Sequence, residues 1–179
     1  MDALRDPGDG GTRPGEPIAL VDPRPSPALG EWLGRVYPFY LHDLSSFPGC
    51  GYRLSAAGAW EPDLLPYWLE QPCCHPWVLT RGDVAIGFAF VGEAPFPSMT
   101  PGVRFRLCEL FVLRGERRSG VGQAAVRAIV ARSPGSFELS VLHENAPALR
   151  FWRAVLPEHA GASLRETSTD DGVLFSFST

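Results

Sequence analysis

Between Glu109 and Val130 the chain reads ELFVLRGERRSGVGQAAVRAIV, and the way this stretch divides decides the fold. Glu109 to Leu113 is apolar and rich in strand formers, and Arg114 to Ser119 is turn and charge. From Gly120 onward, Val121, Ala125, Ala128 and Ile129 form one stripe at helical spacing, so a helix is expected over residues 120–131. The first amides of such a helix have no partners inside it, and the helix dipole places partial positive charge there. Gly120 and Gly122 let an anion approach the backbone closely, while Arg117 and Arg118 add charges that do not titrate away. A Gly-x-Gly before a helix is also what an ordinary strand-to-helix turn looks like. It is not a dinucleotide fingerprint: position 125 is Ala, and no acidic residue follows at the ribose distance.

Working backward, the strand expected over 103–113 changes phase. Val103, Phe105 and Leu107 share one parity, whereas Cys108, Leu110 and Val112 take the other. Two readings stand: one extra residue makes a β-bulge, or the second half is buried on both faces. Upstream lie a Pro-rich loop at 93–102 and a hairpin of strands 77–80 and 84–91 around Arg81-Gly82-Asp83. A short helix is expected over 64–70, after a loop at 47–62. Leu29, Trp32, Leu33, Val36 and Tyr40 are helically spaced, but Pro38 predicts a kink or two short helices there. Residues 18–21 read as a first strand, and residues 1–16, rich in Gly, Pro and Asp, as a disordered lead.

Working forward, residues 137–142 read as a strand. A second helix carries Ala148, Phe151, Trp152 and Val155, and residues 164–178 read as two strands around Asp170-Asp171-Gly172. The whole is a single α/β domain over 17–179, with a mixed, mostly antiparallel sheet and helices on both faces.

Composition removes several chemistries. All 16 basic residues other than His are Arg, so a Walker A loop and Schiff-base catalysis both lack their Lys. GxSxG is absent. Cys50, Cys73, Cys74 and Cys108 have neither disulfide-framework nor CxxC spacing, and Cys73-Cys74-His75 with His42 reads as free thiols rather than a metal site. No metal is expected. The net charge of −4 disfavours nucleic acid and anionic membrane as partners, although Arg104, Arg106, Arg114, Arg117, Arg118, Arg127 and Arg132 cluster in one segment. No apolar run suggests a leader or a membrane span, which makes the cytoplasm the default location. Self-association as a homodimer is left open.

Asn145, the one asparagine in the chain, stands between the strand 137–142 and the following helix, where it reads as an N-cap. Taken with it, Arg117-x-x-Gly120-x-Gly122 and Asn145-x-x-Ala148-x-x-Phe151-Trp152 resemble the GNAT superfamily of acyl-CoA N-acyltransferases over residues 103–156. The resemblance implies acetyl-CoA or another acyl-CoA as cofactor. Its pyrophosphate would lie on the turn Arg118, Ser119, Gly120, Val121, Gly122 and Gln123, with Arg117 beside it. Its pantetheine arm would pair with Phe111, Val112 and Leu113, a backbone N–H near Val112 would polarise the thioester carbonyl, and Asn145 would bind the pantetheine end. The arginine cluster would face the nucleotide. Phe151 and Trp152 would border the cofactor.

The implied reaction is direct attack of a primary amine on the thioester, which needs a base. Glu109 is the first candidate, with a surface carboxylate paired to Arg106 as the alternative. His143 is the second, with a plain polar strand end as its alternative. Tyr37, Tyr40 and Asp43 would frame a small-molecule amine acceptor, or Tyr37 and Tyr40 are core and Asp43 is solvated. Many relatives carry a general-acid Tyr where this chain has Trp152, and an indole cannot supply a proton near neutral pH. Either the thiolate leaves unaided, another residue substitutes, or transfer is lost. The rival readings are a catalytically silent acyl-CoA binding or sensing domain and an acyltransferase using aminoacyl-tRNA.

Overall fold

Ser26 starts the first long element: its hydroxyl accepts from the Leu29 amide at 3.4 Å and Pro27 takes the first helical position. The resulting helix α1 (Pro27–Leu44) runs unbroken for 18 residues through Pro38, which corrects the expected division there. Pro38 forfeits one backbone hydrogen bond, at about 3 kcal/mol. Leu33, Val36, Tyr37 and Leu41, on both sides of it, are buried on the sheet. Each such side chain contributes about 1.5–3 kcal/mol on burial, so packing prevails.

The computed structural model describes residues 16–179, and the expected lead at 1–16 lies outside the described residues apart from Glu16. Around α1 the chain forms β1 (Ile18–Val21), β2 (Arg53–Leu54), β3 (Trp60–Glu61), α2 (Leu65–Glu70), β4 (Cys74–Arg81), β5 (Val84–Glu93) and β6 (Phe105–Val112). It continues with α3 (Val121–Arg132), β7 (Ser136–Leu142), α4 (Ala146–Val155), α5 (Pro157–Ala160), β8 (Arg165–Ser168) and β9 (Gly172–Ser178). The short β2–β3 pair lies inside what the sequence gives as a plain loop. No helix among the described residues is long and apolar enough to cross a membrane.

Seven strands form one sheet in the order β1-β4-β5-β6-β7-β9-β8. Neighbours are antiparallel except β6 and β7, which makes it a mixed, mostly antiparallel sheet. Helices α3 and α4 pack on one face through Val121, Ala125, Ile129, Leu149 and Val155. Helices α1 and α2 pack on the other through Leu33, Tyr37, Leu41 and Trp68, against Phe88, Phe90 and Phe111.

The phase change in β6 is a bulge. Phe90 pairs with Glu109 and Val91 with Leu107, leaving Cys108 as the extra residue. The reading that the second half is buried on both faces fails, because only Phe111 among residues 108–112 is fully buried. A second irregularity, at Ile86 between the Leu79–Gly87 and Thr80–Ala85 pairs, had no signal in the sequence pattern.

Past its first two residues β6 leaves β7. Parallel pairing covers only Phe105 with Phe137 and Arg106 with Glu138. The closed end of this split is held by a buried ion pair: Arg106 Nη1 donates to Glu138 Oε1 at 3.0 Å, and Arg106 Nη2 donates to Ser140 Oγ at 3.0 Å. Glu138 is fully buried and also accepts from the Thr100 amide at 3.2 Å. Removing one partner of such a pair leaves a charge stranded. Arg106→Met is therefore expected to cost about 3–5 kcal/mol in denaturant unfolding, whereas a loss under about 1 kcal/mol would show that the pair does not hold the split closed.

Candidate active site

Where β6 and β7 part, β6 has one edge without a strand. Leu113 donates to the Ile86 carbonyl at 2.9 Å, toward β5. Backbone groups alternate sides along a strand, so Val112 directs its N–H and C=O to the opposite, open edge. Leu113 therefore offers no backbone group to a ligand there, which narrows the expected pairing segment of Phe111, Val112 and Leu113 to Val112. Leu110, one period back, shares that edge and lines all three cavities around the split, a position missed from the sequence.

The bulge turns Glu109 toward α1. The Tyr40 hydroxyl donates a hydrogen bond to Glu109 Oε2. Burial pushes the Glu109 carboxyl up to about 8, with no cation acting on it. The alternative pairing of Glu109 with Arg106 is not found, since Arg106 is committed to Glu138, Ser140 and the Ser98 carbonyl. Glu109 lies in a cavity of about 270 Å³ that also reaches Tyr52, Cys108, Leu139, Asn145 and Trp152. Tyr52 and Cys108 had no site signal in the sequence: Tyr52 arrives from the loop before β2, and Cys108 is the extra residue of the bulge.

His143 is not brought to this cavity. It is exposed and its Nε2 lies 3.0 Å from the Thr169 carbonyl, tied to the turn of the final hairpin. It is absent from the walls of both the Glu109 cavity and the cavity at α3. The strand that leads to it ends at Leu142, where its pairing with β9 also stops.

At the other end of the split, Gly120 is the N-cap of α3 with φ +84° and no side chain to cap the helix. The amides of Val121, Gly122 and Gln123 are thus left without intrahelical acceptors. A Cβ on Gly120 would meet open space, whereas one on Gly122 would press on Phe151 at 3.0 Å. Arg118 also sits at positive φ, 64°, so the turn carries two left-handed residues, the geometry of an anion-binding nest. A cavity of about 570 Å³ opens over this turn, walled by Val112, Arg118, Gly120, Gly122, Phe151 and Trp152. Free amides, two arginines and an apolar wall fit a ligand with a diphosphate head and an uncharged arm. Ser119 and Val121 contribute no wall to it: Ser119 Oγ donates to the Glu116 carbonyl at 2.6 Å, and the Val121 side chain is core. Gln123 lines the cavity while donating to Glu158 at 2.8 Å.

Asn145 caps α4, its Oδ1 accepting from the Ala148 amide at 3.1 Å, and lines the Glu109 cavity as well. The cap and a ligand contact are compatible. Trp152 is 7% exposed, its ring edge-on to Phe151 at 4.8 Å, and contributes packing to both cavities.

Two acceptor-side expectations and one on the cofactor side are corrected. Tyr37 is core: 2% exposed, among the rings of Tyr40, Phe88 and Phe90, with burial pushing its hydroxyl pKa well up. Asp43 does not offer its charge to an amine. Arg114 donates to its Oδ1 at 2.6 Å and Arg117 to its Oδ2 at 2.8 Å. Burial alone would push the Asp43 carboxyl up, but the hydrogen bonds from Arg117 and Arg114 outweigh it and hold it below the usual range. The arginine cluster, finally, does not face one ligand as a body. Arg104 pairs with Glu93, Arg106 with Glu138, Arg127 with Glu158, and Arg132 lies over the Trp77 ring. Only Arg117 and Arg118 line the α3 cavity. Among the described residues no group of three or more His, Cys, Asp or Glu could hold a metal ion.

Arg117 is itself held. Beyond Asp43, its Nε donates to the Val112 carbonyl at 2.7 Å and its guanidinium lies 5.3 Å from the Phe111 ring centroid. Asp43 thus competes with any anion for Arg114 and Arg117. Asp43→Asn is expected to raise coenzyme A affinity roughly fivefold, the scale of one exposed ion pair, as read by calorimetry. Unchanged or weaker binding would show that Arg117 does not serve the α3 cavity.

The sequence model of the Acetyltransferase (GNAT) family matches residues 36–156, and the chain belongs to that family. No curated protein matches the chain. Among solved structures, an acetyltransferase from Thermus thermophilus is 16% identical, with a TM-score of 0.61 over 91% of this chain and 97% of that one. NAA60 of Arabidopsis thaliana, in complex with a bisubstrate analogue, is 14% identical, with a TM-score of 0.56 over 90% and 99%. The diaminobutyrate acetyltransferase EctA of Paenibacillus lautus, with its substrate and coenzyme A, is 16% identical, with a TM-score of 0.55 over 92% and 96%. At these identities the likeness is one of fold.

Proposed function

We propose that the protein transfers an acetyl group from acetyl-CoA to the primary amine of a small molecule, by direct attack, in the cytoplasm. The observation that carries this reading is Glu109: a desolvated carboxyl, pushed up to about 8, in a cavity that shares Leu110, Ala148 and Trp152 with the cavity over the α3 turn. A base near neutrality is matched to removing a proton from an attacking amine at physiological pH. Acetyl-CoA would supply an activated thioester.

The chain's own residues divide the work. The amides of Val121, Gly122 and Gln123, with Arg118, hold the diphosphate. Val112 offers its N–H along the open edge of β6 to the thioester carbonyl oxygen, an oxyanion-hole position. Asn145 orients the arm beside it. Glu109 accepts the amine proton, and Tyr40 fixes the orientation of that carboxylate. His143 has no part in this scheme. Leu107, Leu139 and Trp152 limit water in the cavity.

Buried Trp152, where relatives use a Tyr acid, favours a second reading: a domain that binds acyl-CoA without turning it over. Release of thiol from acetyl-CoA across a panel of primary amines separates the two. Amine-dependent release supports transfer, and tight acetyl-CoA binding with no release across the panel supports the silent domain.

A further inference from the structure

We propose that the acceptor is a small primary amine whose remaining body is uncharged, selected by the walls of the Glu109 cavity. This rests on the acetyl-transfer reading. The cavity is lined by Leu107, Leu110, Leu139 and Trp152, by the rings of Tyr40 and Tyr52, and by the neutral polar groups of Ser140 and Asn145. Of its lining side chains, Glu109 alone belongs to the Asp, Glu, Arg and His set. Cys108, at the bulge, stays a neutral thiol because burial pushes it up to about 12.

The charges that could receive a second charged group on an acceptor are committed elsewhere. Arg106 is bound to Glu138, and Asp43 is bound to Arg114 and Arg117. An α-amino acid would bring a carboxylate into this cavity with no cation to meet it. A short diamine would bring a second ammonium with no second carboxylate. Either group would be desolvated without a charged partner, which is costly. A single ammonium has Glu109, and an uncharged body has the rest of the wall, which carries no second charge. The cavity of about 270 Å³, part of which the cofactor arm beside Asn145 would take, limits the acceptor to a small body.

The test uses the full chain and two matched pairs: phenethylamine against phenylalanine, and n-butylamine against its terminal diamine. Thiol release from acetyl-CoA gives kcat/KM for each. Calorimetric binding of each amine to the coenzyme A-saturated protein gives a readout that does not depend on turnover. The uncharged-body member of each pair is expected to lead by on the order of 100-fold in kcat/KM, the scale of leaving one charge unpaired, and to bind where its partner does not. Cys50→Asp, on the cavity wall in a loop, supplies the missing carboxylate and should raise use of the diamine relative to n-butylamine about tenfold. Equal or better use of the charged members overturns the inference. So does absence of binding by both uncharged amines. Failure of acetyl-CoA itself to bind would instead remove the acetyl-transfer reading beneath it.

Discussion

Gly120→Trp is expected to abolish coenzyme A binding while the protein still folds. The substituted position caps α3 in the left-handed region at φ +84°, and a Cβ there meets nothing within 4 Å. An indole therefore has room to stand in the cavity over the amides of Val121, Gly122 and Gln123, where the diphosphate would lie. The backbone cost is that of one non-glycine residue held left-handed, about 1–2 kcal/mol. Gly120→Ala carries nearly the same backbone cost with almost no bulk. The pair separates strain from obstruction: Ala should lose stability and keep most of its affinity, and Trp should lose both. Equal coenzyme A affinity in all three proteins would mean that the α3 turn is an ordinary strand-to-helix connection.

Glu109→Gln is expected to lower the acetylation rate by about 10²–10⁴-fold, the range for losing a positioned general base. Coenzyme A affinity should change little. The pH profile is the more specific readout. With its carboxyl at about 8, Glu109 is protonated and cannot accept a proton at lower pH, so the wild-type rate should climb as pH rises toward 8 and level above it. In the Gln variant that limb should vanish. The same burial has an opposite effect on stability. The folded carboxyl value lies above its ordinary 4.5, so the folded state binds a proton more tightly than the unfolded chain. Wild-type stability should fall as pH rises from about 4.5 to about 8 and then flatten, and Glu109→Gln should remove that fall. A Gln variant with the wild-type profile would exclude the base assignment.

Much of the local structure around α3 and α4 was legible in the sequence because it depends on local chemistry. Gly120, Asn145 and the helical stripes behind them act within one turn of the chain, and each is found in the role its residue type suggests. The β6 bulge was half legible: the parity change marked its existence, but only pairing with β5 identified Cys108 as the extra residue. What was not legible depends on partners far away in sequence. Asp43 reads as an available anion until Arg114 and Arg117, from the turn before α3, are folded against it. The seven clustered arginines read as one surface, yet alternation along β6 and the turns of α3 send them to different partners. Pro38 misled for a related reason, since the sheet contact that keeps α1 whole is tertiary. Glu109 read as the first base candidate and His143 as the second, and the direction taken by the chain after β7 leaves His143 outside the Glu109 cavity.

The account turns on unpaired amides at the start of α3 gripping a diphosphate, and titration calorimetry of the wild-type chain with coenzyme A tests that most directly. One site per chain in the micromolar range is predicted, weakened when the diphosphate is absent, as with pantetheine alone. No heat of binding with either coenzyme A or acetyl-CoA, under conditions where the protein is folded, would contradict it.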